Sequence, residues 1–371
     1  MDRKIRVVVL FGGQSSEHEV SRISAKSVLE NMDPSRYDIR MIGITKNGEW
    51  LRYDGDIKYL TTGEWEDIAR GRLLSEPGRP DGDAATCLDL IAARDSDGRM
   101  ETVDVVFPVL HGPNGEDGSV QGLLQLAGIP YVGCDILSSA ACMDKEFTKI
   151  VLNQAGIPTS GYIKVYRDEI EGSVHVIKNM VGERIGWPCF VKPSNAGSSV
   201  GVTKVKEPEK LLEALRLAAK YDNKILIEEF VEGRELECAV LGNRHPMASV
   251  VGEIIPCNEF YDYNAKYLDG KSETIIPADI EPCIAEQIRD YAVKAFKALE
   301  CSGLSRVDFF LQEDTNRVIL NELNTMPGFT EISMYSKLWE ASGIPYPELI
   351  DRLIQLAFEK HEQSAKSYER T

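Results

Sequence analysis

Leu304-Ser305-Arg306-Val307-Asp308-Phe309-Phe310, the turn-forming Glu313-Asp314-Thr315-Asn316, and Val318-Ile319-Leu320-Asn321-Glu322-Leu323-Asn324 together decide how this chain is read. Side chains alternate between faces along a strand, so Arg306 and Asp308 share one face while Val307 and Phe309 take the other. Glu322 and Asn324 likewise fall on one face. A hairpin centred on Thr315 sets Asp308 opposite Glu322 and Arg306 opposite Asn324. Two directly opposed carboxylates repel each other unless a cation stands between them. The oxygen-only set of Asp308, Glu322 and Asn324 suits a hard ion, and magnesium, which keeps positions open for waters and phosphate oxygens, matches it. The competing reading is a solvated polar face on which Arg306 neutralises the acids. Against it stands the continuation Thr325-Met326-Pro327-Gly328-Phe329-Thr330, which places the Gly328 N–H just past the cluster, where it could face a developing oxyanion.

Upstream, Lys192-Pro193-Ser194-Asn195-Ala196-Gly197-Ser198-Ser199-Val200-Gly201 lies between predicted strands at 190–192 and 202–205. Its small residues let backbone N–H groups approach an anion closely, although an ordinary hairpin turn has the same composition. A Walker-type loop is excluded, because Gly270-Lys271-Ser272 lacks the earlier glycine. Near the start, an apolar strand at 5–11 runs into Gly12-Gly13-Gln14-Ser15-Ser16-Glu17, which lacks the third glycine of a dinucleotide loop. Glu17 suits an ammonium better than a pyrophosphate. A capping box from Ser16 to Glu19 predicts the following helix. Strands at 38–45, 103–110 and 129–132 and a helix at 120–127 continue an α/β alternation. The segment 49–102, rich in Asp, Gly and Arg, reads as an insertion or surface excursion.

A boundary near Gly133 separates this unit from an α+β remainder. Helices are expected at 144–154, 208–220, 284–299, 333–341 and 347–359, a strand at 225–230 and a β-rich span at 235–255. The predicted domains are 1–133, 134–228 and 229–371. The polar loop 256–271, with Phe260, Tyr261, Tyr263 and Tyr267, is a reasonable lid over a site that must exclude water.

At 371 residues the chain exceeds one ordinary hydrophobic core, so an inter-domain cleft is the natural site. Forty-three per cent hydrophobic residues support packed cores, yet no run approaches a membrane span. The start, Met1-Asp2-Arg3-Lys4, has no export signal, which predicts a cytoplasmic protein. Eight cysteines with no C-x-x-C pair read as reduced thiols. A formal charge of −17 argues against a nucleic-acid partner.

Several stretches together resemble the ATP-grasp ligases, most closely the D-alanine:D-alanine ligase family. They are residues 12–21, His111-Gly112 with Gly115-Glu116-Asp117-Gly118, Met143-Asp144-Lys145, the 192–201 loop, Tyr261-Asp262-Tyr263-Asn264-Ala265-Lys266-Tyr267, and Asn321 through Gly328. The likeness covers the chain outside 49–102. It implies an ATP-grasp fold preceded by a Rossmann-like domain, and the use of ATP with two Mg2+ or Mn2+ ions. It also implies that one D-alanine is phosphorylated on its carboxylate before a second displaces phosphate. On the same resemblance Lys145, Lys192, Ser198 and Ser199 hold phosphates, Glu228 and Val231 meet adenine, Glu235 the ribose, and Lys266 the γ-phosphate. Glu17 receives the first ammonium beside His111, Arg306 and Gly328 the oxyanion, and Ser333 the second carboxylate. Glu17, Ser198 and Tyr267 resemble the family's hydrogen-bonded triad. A homodimer is implied too. A D-alanine:D-lactate or D-serine ligase, another ATP-grasp enzyme such as a carboxylase, and a non-catalytic nucleotide-binding module are the competing readings.

Overall fold

The computed structural model describes residues 3–75, 91, 103–255 and 273–364. The opening run Ile5–Gly12 forms β1, buried from Val7 onward as expected of a strand covered on both faces. It pairs in parallel with β2 (Tyr37–Ile44), reached through α1 (His18–Asn31), and with β4 (Val105–Pro108). β3 (Trp50–Tyr53) adds antiparallel at the edge, giving the order β3-β2-β1-β4. Glu17 and His111 follow the C-terminal ends of adjacent parallel strands, where open α/β sheets gather ligands.

Three expectations change here. The capping box does not form: Glu17 is the N-cap of α1 and makes no side-chain cap bond, because its carboxylate turns to Ser198 instead. The 129–132 strand reduces to a single parallel bridge between Val106 and Tyr131. The described part of 49–102 is no surface excursion, since Tyr53, Leu60 and Trp65 on β3, α2 (Lys58–Thr62) and α3 (Trp65–Ser75) are fully buried. Trp65 meets the Phe11 ring edge-on at 4.8 Å, so this segment closes one face of the first sheet.

Helices α4 (Ser119–Leu126), α5 (Ile136–Met143) and α6 (Lys145–Gln154) lead to a second sheet. Its strands β5 (Tyr162–Tyr166), β6 (Cys189–Pro193), β7 (Thr203–Val205) and β8 (Lys224–Glu229) are antiparallel in the order β5-β8-β6-β7. α7 (Ile170–Arg184) and α8 (Leu211–Ala218) accompany it. α8 buries Leu211, Ala214, Leu215 and Ala218 at helical spacing, whereas α7 buries just Ile170, Ile177 and Val181, too sparse a stripe to be read in advance. This sheet and its two helices share a core of their own.

The third sheet is antiparallel, ordered β11-β10-β9-β12-β13, from β9 (Arg234–Gly242), β10 (Met247–Ile255), β11 (Glu273–Ile275), β12 (Gly303–Gln312) and β13 (Arg317–Asn324). α9 (Pro282–Ala298) packs into one of its cores. Residues of α10 (Met334–Ala341) and α11 (Tyr346–Gln363) join another core that is continuous with the first sheet. Among the described residues no helix is long and apolar enough to cross a membrane. The expected lid at 256–271, with Lys266 and Tyr267, lies outside the described residues.

Candidate active site

The β12–β13 hairpin pairs Asp308 with Glu322 and Arg306 with Asn324, as alternation required. The register has a bulge: Phe309 pairs with Leu320 and Gln312 with Arg317, so the turn is centred between Asp314 and Thr315, and Asn321 is the extra residue. Asn321 and Glu322 therefore both stay half-exposed toward the cleft. Arg306 lays its guanidinium fork on Asp308, Nε to Oδ1 at 2.7 Å and Nη2 to Oδ2 at 2.6 Å, while Nε stands 3.0 Å from Glu237. Asn324 donates to Asp308 at 3.0 Å. Arg306 thus places its positive charge on Asp308 and Glu237. Among the described residues no group of three His, Cys, Asp or Glu side chains is arranged as metal ligands.

A cleft of about 740 Å³ opens in front of this hairpin. Glu17, His111 and Glu116 line it from the first unit, Lys145, Lys192, Ser198, Ser199 and Glu228 from the second, and Val231, Glu235, Arg306, Asp308, Glu322, Gly328 and Ser333 from the third. The described site residues inferred from the sequence converge on this one volume.

Glu17 is 6% exposed. Its Oε1 accepts from the Ser198 hydroxyl, and its Oε2 is buried without a partner among the described residues. A Cβ built on Gly112 would lie 2.7 Å from Oε2, and one on Gly197 2.8 Å, so a side chain at either position would press on this carboxylate, and Gly112 also holds φ +74°. A buried, orphaned carboxylate oxygen calls for a donor, and a charged one most of all. Ser198 and Ser199 both adopt left-handed backbone, at φ 49° and 59°. Such geometry costs about 1–3 kcal/mol per residue and concentrates at ligand clamps.

His111 has both ring nitrogens engaged. Nδ1 lies 3.0 Å from the Met326 carbonyl, which can only accept, so that nitrogen bears the proton; Nε2 lies 3.2 Å from Ser24 Oγ. Ser24 in turn accepts from the Phe329 N–H at 3.2 Å. Burial lowers the His111 pKa and keeps the ring neutral. This chain fixes the 326–329 backbone and with it Gly328. Ser24 was invisible to sequence reading, since nothing marks one helical serine among others. Burial, and then Glu17, push the Glu116 carboxyl well up, while its Oε2 accepts from the Gly112 N–H at 2.9 Å.

Lys145 starts α6 and reaches the Ala196 carbonyl at 2.7 Å, tying the helix to the serine loop. Asp144 caps the helix through Glu146 and Phe147 N–H groups at 3.1 Å and also accepts from Ser194. Lys192 stands 2.9 Å from Glu228, whose Oε1 is buried without a partner among the described residues. Ser333 precedes α10, its Oγ 3.0 Å from the Thr330 N–H, at a helix N-terminus suited to a carboxylate. Glu237, two residues after Glu235 on β9, was missed, although strand alternation puts both on one face.

A sequence description of the D-ala D-ala ligase N-terminus matches residues 6–134, and one of the D-ala D-ala ligase C-terminus matches residues 151–355. The chain belongs to the D-alanine–D-alanine ligase family. The D-alanine–D-alanine ligase of Acetivibrio thermocellus is 55% identical over 100% of both chains, and that of Ruminiclostridium cellulolyticum 52% identical over 99% of each. Among solved structures, the D-alanine-D-alanine ligase of Coxiella burnetii is 39% identical with a TM-score of 0.81, covering 98% of this chain and 96% of that one. The D-Ala:D-Ser ligase VanG of Enterococcus faecalis is 37% identical at the same TM-score of 0.81, covering 96% and 100%. The family fold is therefore the ATP-grasp fold behind a Rossmann-like domain, and family members use ATP.

Proposed function

We infer that this chain joins two D-alanine molecules into D-alanyl-D-alanine, with ADP and phosphate as the other products, for peptidoglycan precursor synthesis. One observation carries the reading: the end-to-end kinship, at 55% identity, with a relative named for that reaction.

The first D-alanine's ammonium is received by Glu17 Oε2, the buried acceptor that has no donor among the described residues. Its carboxylate attacks the γ-phosphorus of ATP; the bond to the bridging oxygen breaks and ADP leaves, giving an acyl phosphate. Lys145, Lys192 and the backbone around Ser198 and Ser199 hold the phosphates, Glu228 and Val231 the adenine, and Glu235 the ribose. The second amine, with a reference pKa of about 8, must lose a proton before it attacks the acyl carbon. Ser198 and Glu17, with Tyr267, orient that amine, while Ser333 holds its carboxylate. Arg306 and the Gly328 N–H face the tetrahedral oxyanion, and phosphate then departs. Lys266 at the γ-phosphate belongs to the same reading. Asp308, Glu322 and Asn324 form a hard-oxygen set that fits Mg2+ or Mn2+. Bound there, such ions would neutralise phosphate oxygens.

Measuring ADP release with and without D-alanine tests the reaction. Release should require D-alanine, stop with EDTA and return with Mg2+; release independent of D-alanine overturns the ligase. With D-alanine and D-serine in competition, the dipeptide of D-alanine should dominate, and a mixed product would favour the D-serine reading suggested by the Enterococcus neighbour. A cytoplasmic homodimer with domains at 1–133, 134–228 and 229–371 is part of this proposal, and a monomer in sedimentation would refute its assembly.

A further inference from the structure

Lys149 lies one helical turn beyond Lys145 on the same side of α6, yet among the described residues it does not line the cleft. It is 1% exposed, a placement that lysine seldom takes without a partner. Its Nζ donates to Ser160 Oγ at 2.6 Å and stands 3.4 Å from Glu228 Oε2. Ser160 donates to that same Oε2 at 3.1 Å, and Lys192 approaches it at 2.9 Å. One oxygen of Glu228 is thus engaged by Lys149, Ser160 and Lys192 together. The other, Oε1, is buried with no partner among the described residues, on a residue that lines the cleft. Burial pushes the Glu228 carboxyl up, but Lys149 first and Lys192 second bring it below its ordinary range, so it stays an anion. Lys192 also lines the cleft and is available to phosphates; Lys149 is the cation that remains with Glu228.

We propose that Lys149, together with Ser160, is a positioning residue that sets the base selectivity of the nucleotide pocket. It locks Glu228 as an acceptor-only group whose Oε1 takes an amino-bearing purine edge and repels a 6-oxo edge. The inference rests on the ATP-dependent reading above. Lys149 touches no substrate, and its effect passes through the ionisation and orientation of Glu228. A buried carboxylate facing a carbonyl oxygen leaves two acceptors without a proton between them, which is how a polar site rejects a near-isosteric ligand.

The test compares ATP with inosine triphosphate, which differ at that edge by an amine against a carbonyl, in the intact enzyme and in Lys149→Met and Ser160→Ala. Lys149→Met should lower the ATP-to-inosine-triphosphate ratio of kcat/KM by about tenfold or more and leave the KM for D-alanine within about twofold. Calorimetric Kd values for ADP and inosine diphosphate should shift in the same sense. Ser160→Ala should move the ratio in the same direction by less. Equal losses for both nucleotides, or a parallel rise in the D-alanine KM, would show a merely structural lysine and overturn the proposal. If Lys149→Met does not fold by circular dichroism, the Ser160→Ala ratio decides alone. A wild-type chain that releases no ADP sinks the ligase reading, whereas an active wild type with an unmoved ratio sinks this inference only.

Discussion

At the scale of single residues, the cleft is organised by acceptors left open. Glu17 spends one oxygen on the Ser198 hydroxyl and keeps the other buried between Gly112 and Gly197, with no partner among the described residues. Such an atom destabilises the ligand-free protein and rewards a cationic donor. Glu17→Gln keeps the shape and a carbonyl but removes the charge. A hydrogen bond to a charged group is worth about 1.5–3 kcal/mol, so the KM for the first D-alanine should rise about 10- to 100-fold. The KM for ATP should stay within about twofold. Initial rates at varied D-alanine and fixed ATP check this, and a KM for ATP that rises as much as that for D-alanine would remove Glu17 from the ammonium site.

At the scale of elements, the hairpin and α6 show what patterning can and cannot supply. Counting from Thr315 paired Asp308 with Glu322 correctly, but from the wrong centre. The turn sits half a residue earlier, and the bulge at Asn321 restores the register. A regular hairpin on the true centre would have set Asn321 against Asp308. Bulges leave little trace in a strand of Ile, Leu and Asn, so this feature was not legible, whereas the strands and their polar face were. The serine loop was legible because small residues mark it, and Lys145 and Lys192 were singled out only through the family resemblance; all three line the cleft. Lys149, Ser160 and Ser24 were not, since their meaning depends on partners far away in the chain.

The cap of α6 allows a sharper statement. Asp144 serves two backbone N–H groups, Ser194 and the Lys224 ammonium at 2.5 Å. Burial alone would raise its pKa, but Lys224 and the cap bonds bring it down. A depressed carboxyl contributes stability that is present above its unfolded pKa and is lost as pH falls through the folded one. Asp144→Ala removes the cap and one of the two carboxylates on the buried Lys224 ammonium, which keeps Glu146 at 3.0 Å, a combined loss of about 1–2 kcal/mol. Urea denaturation at neutral pH should show that loss, and the gap from wild type should narrow as pH falls below about 4. A loss under about 0.5 kcal/mol would mean the cap is redundant.

At the scale of the whole molecule, the distribution of cores bears on how the cleft works. The first sheet and the helices after β13 share one continuous core that includes Phe11, Phe107, Phe329 and Trp339. The second sheet, with α7 and α8, closes a core drawn only from residues between Ile163 and Ile227. A unit with its own core can open by itself, because its local stability does not depend on its neighbours' packing. Nucleotide would tie it to the rest, since Lys192 and Glu228 belong to this unit while Glu235 and Asp308 belong to the next. A ligand at 100 times its Kd stabilises the states that bind it by about 2.7 kcal/mol. Adding ADP with Mg2+ should therefore slow amide exchange most across 163–227 and much less across β1 and β2. Hydrogen-exchange mass spectrometry distinguishes the alternatives: protection spread evenly over all three sheets would mean that the second unit opens only when the whole chain does.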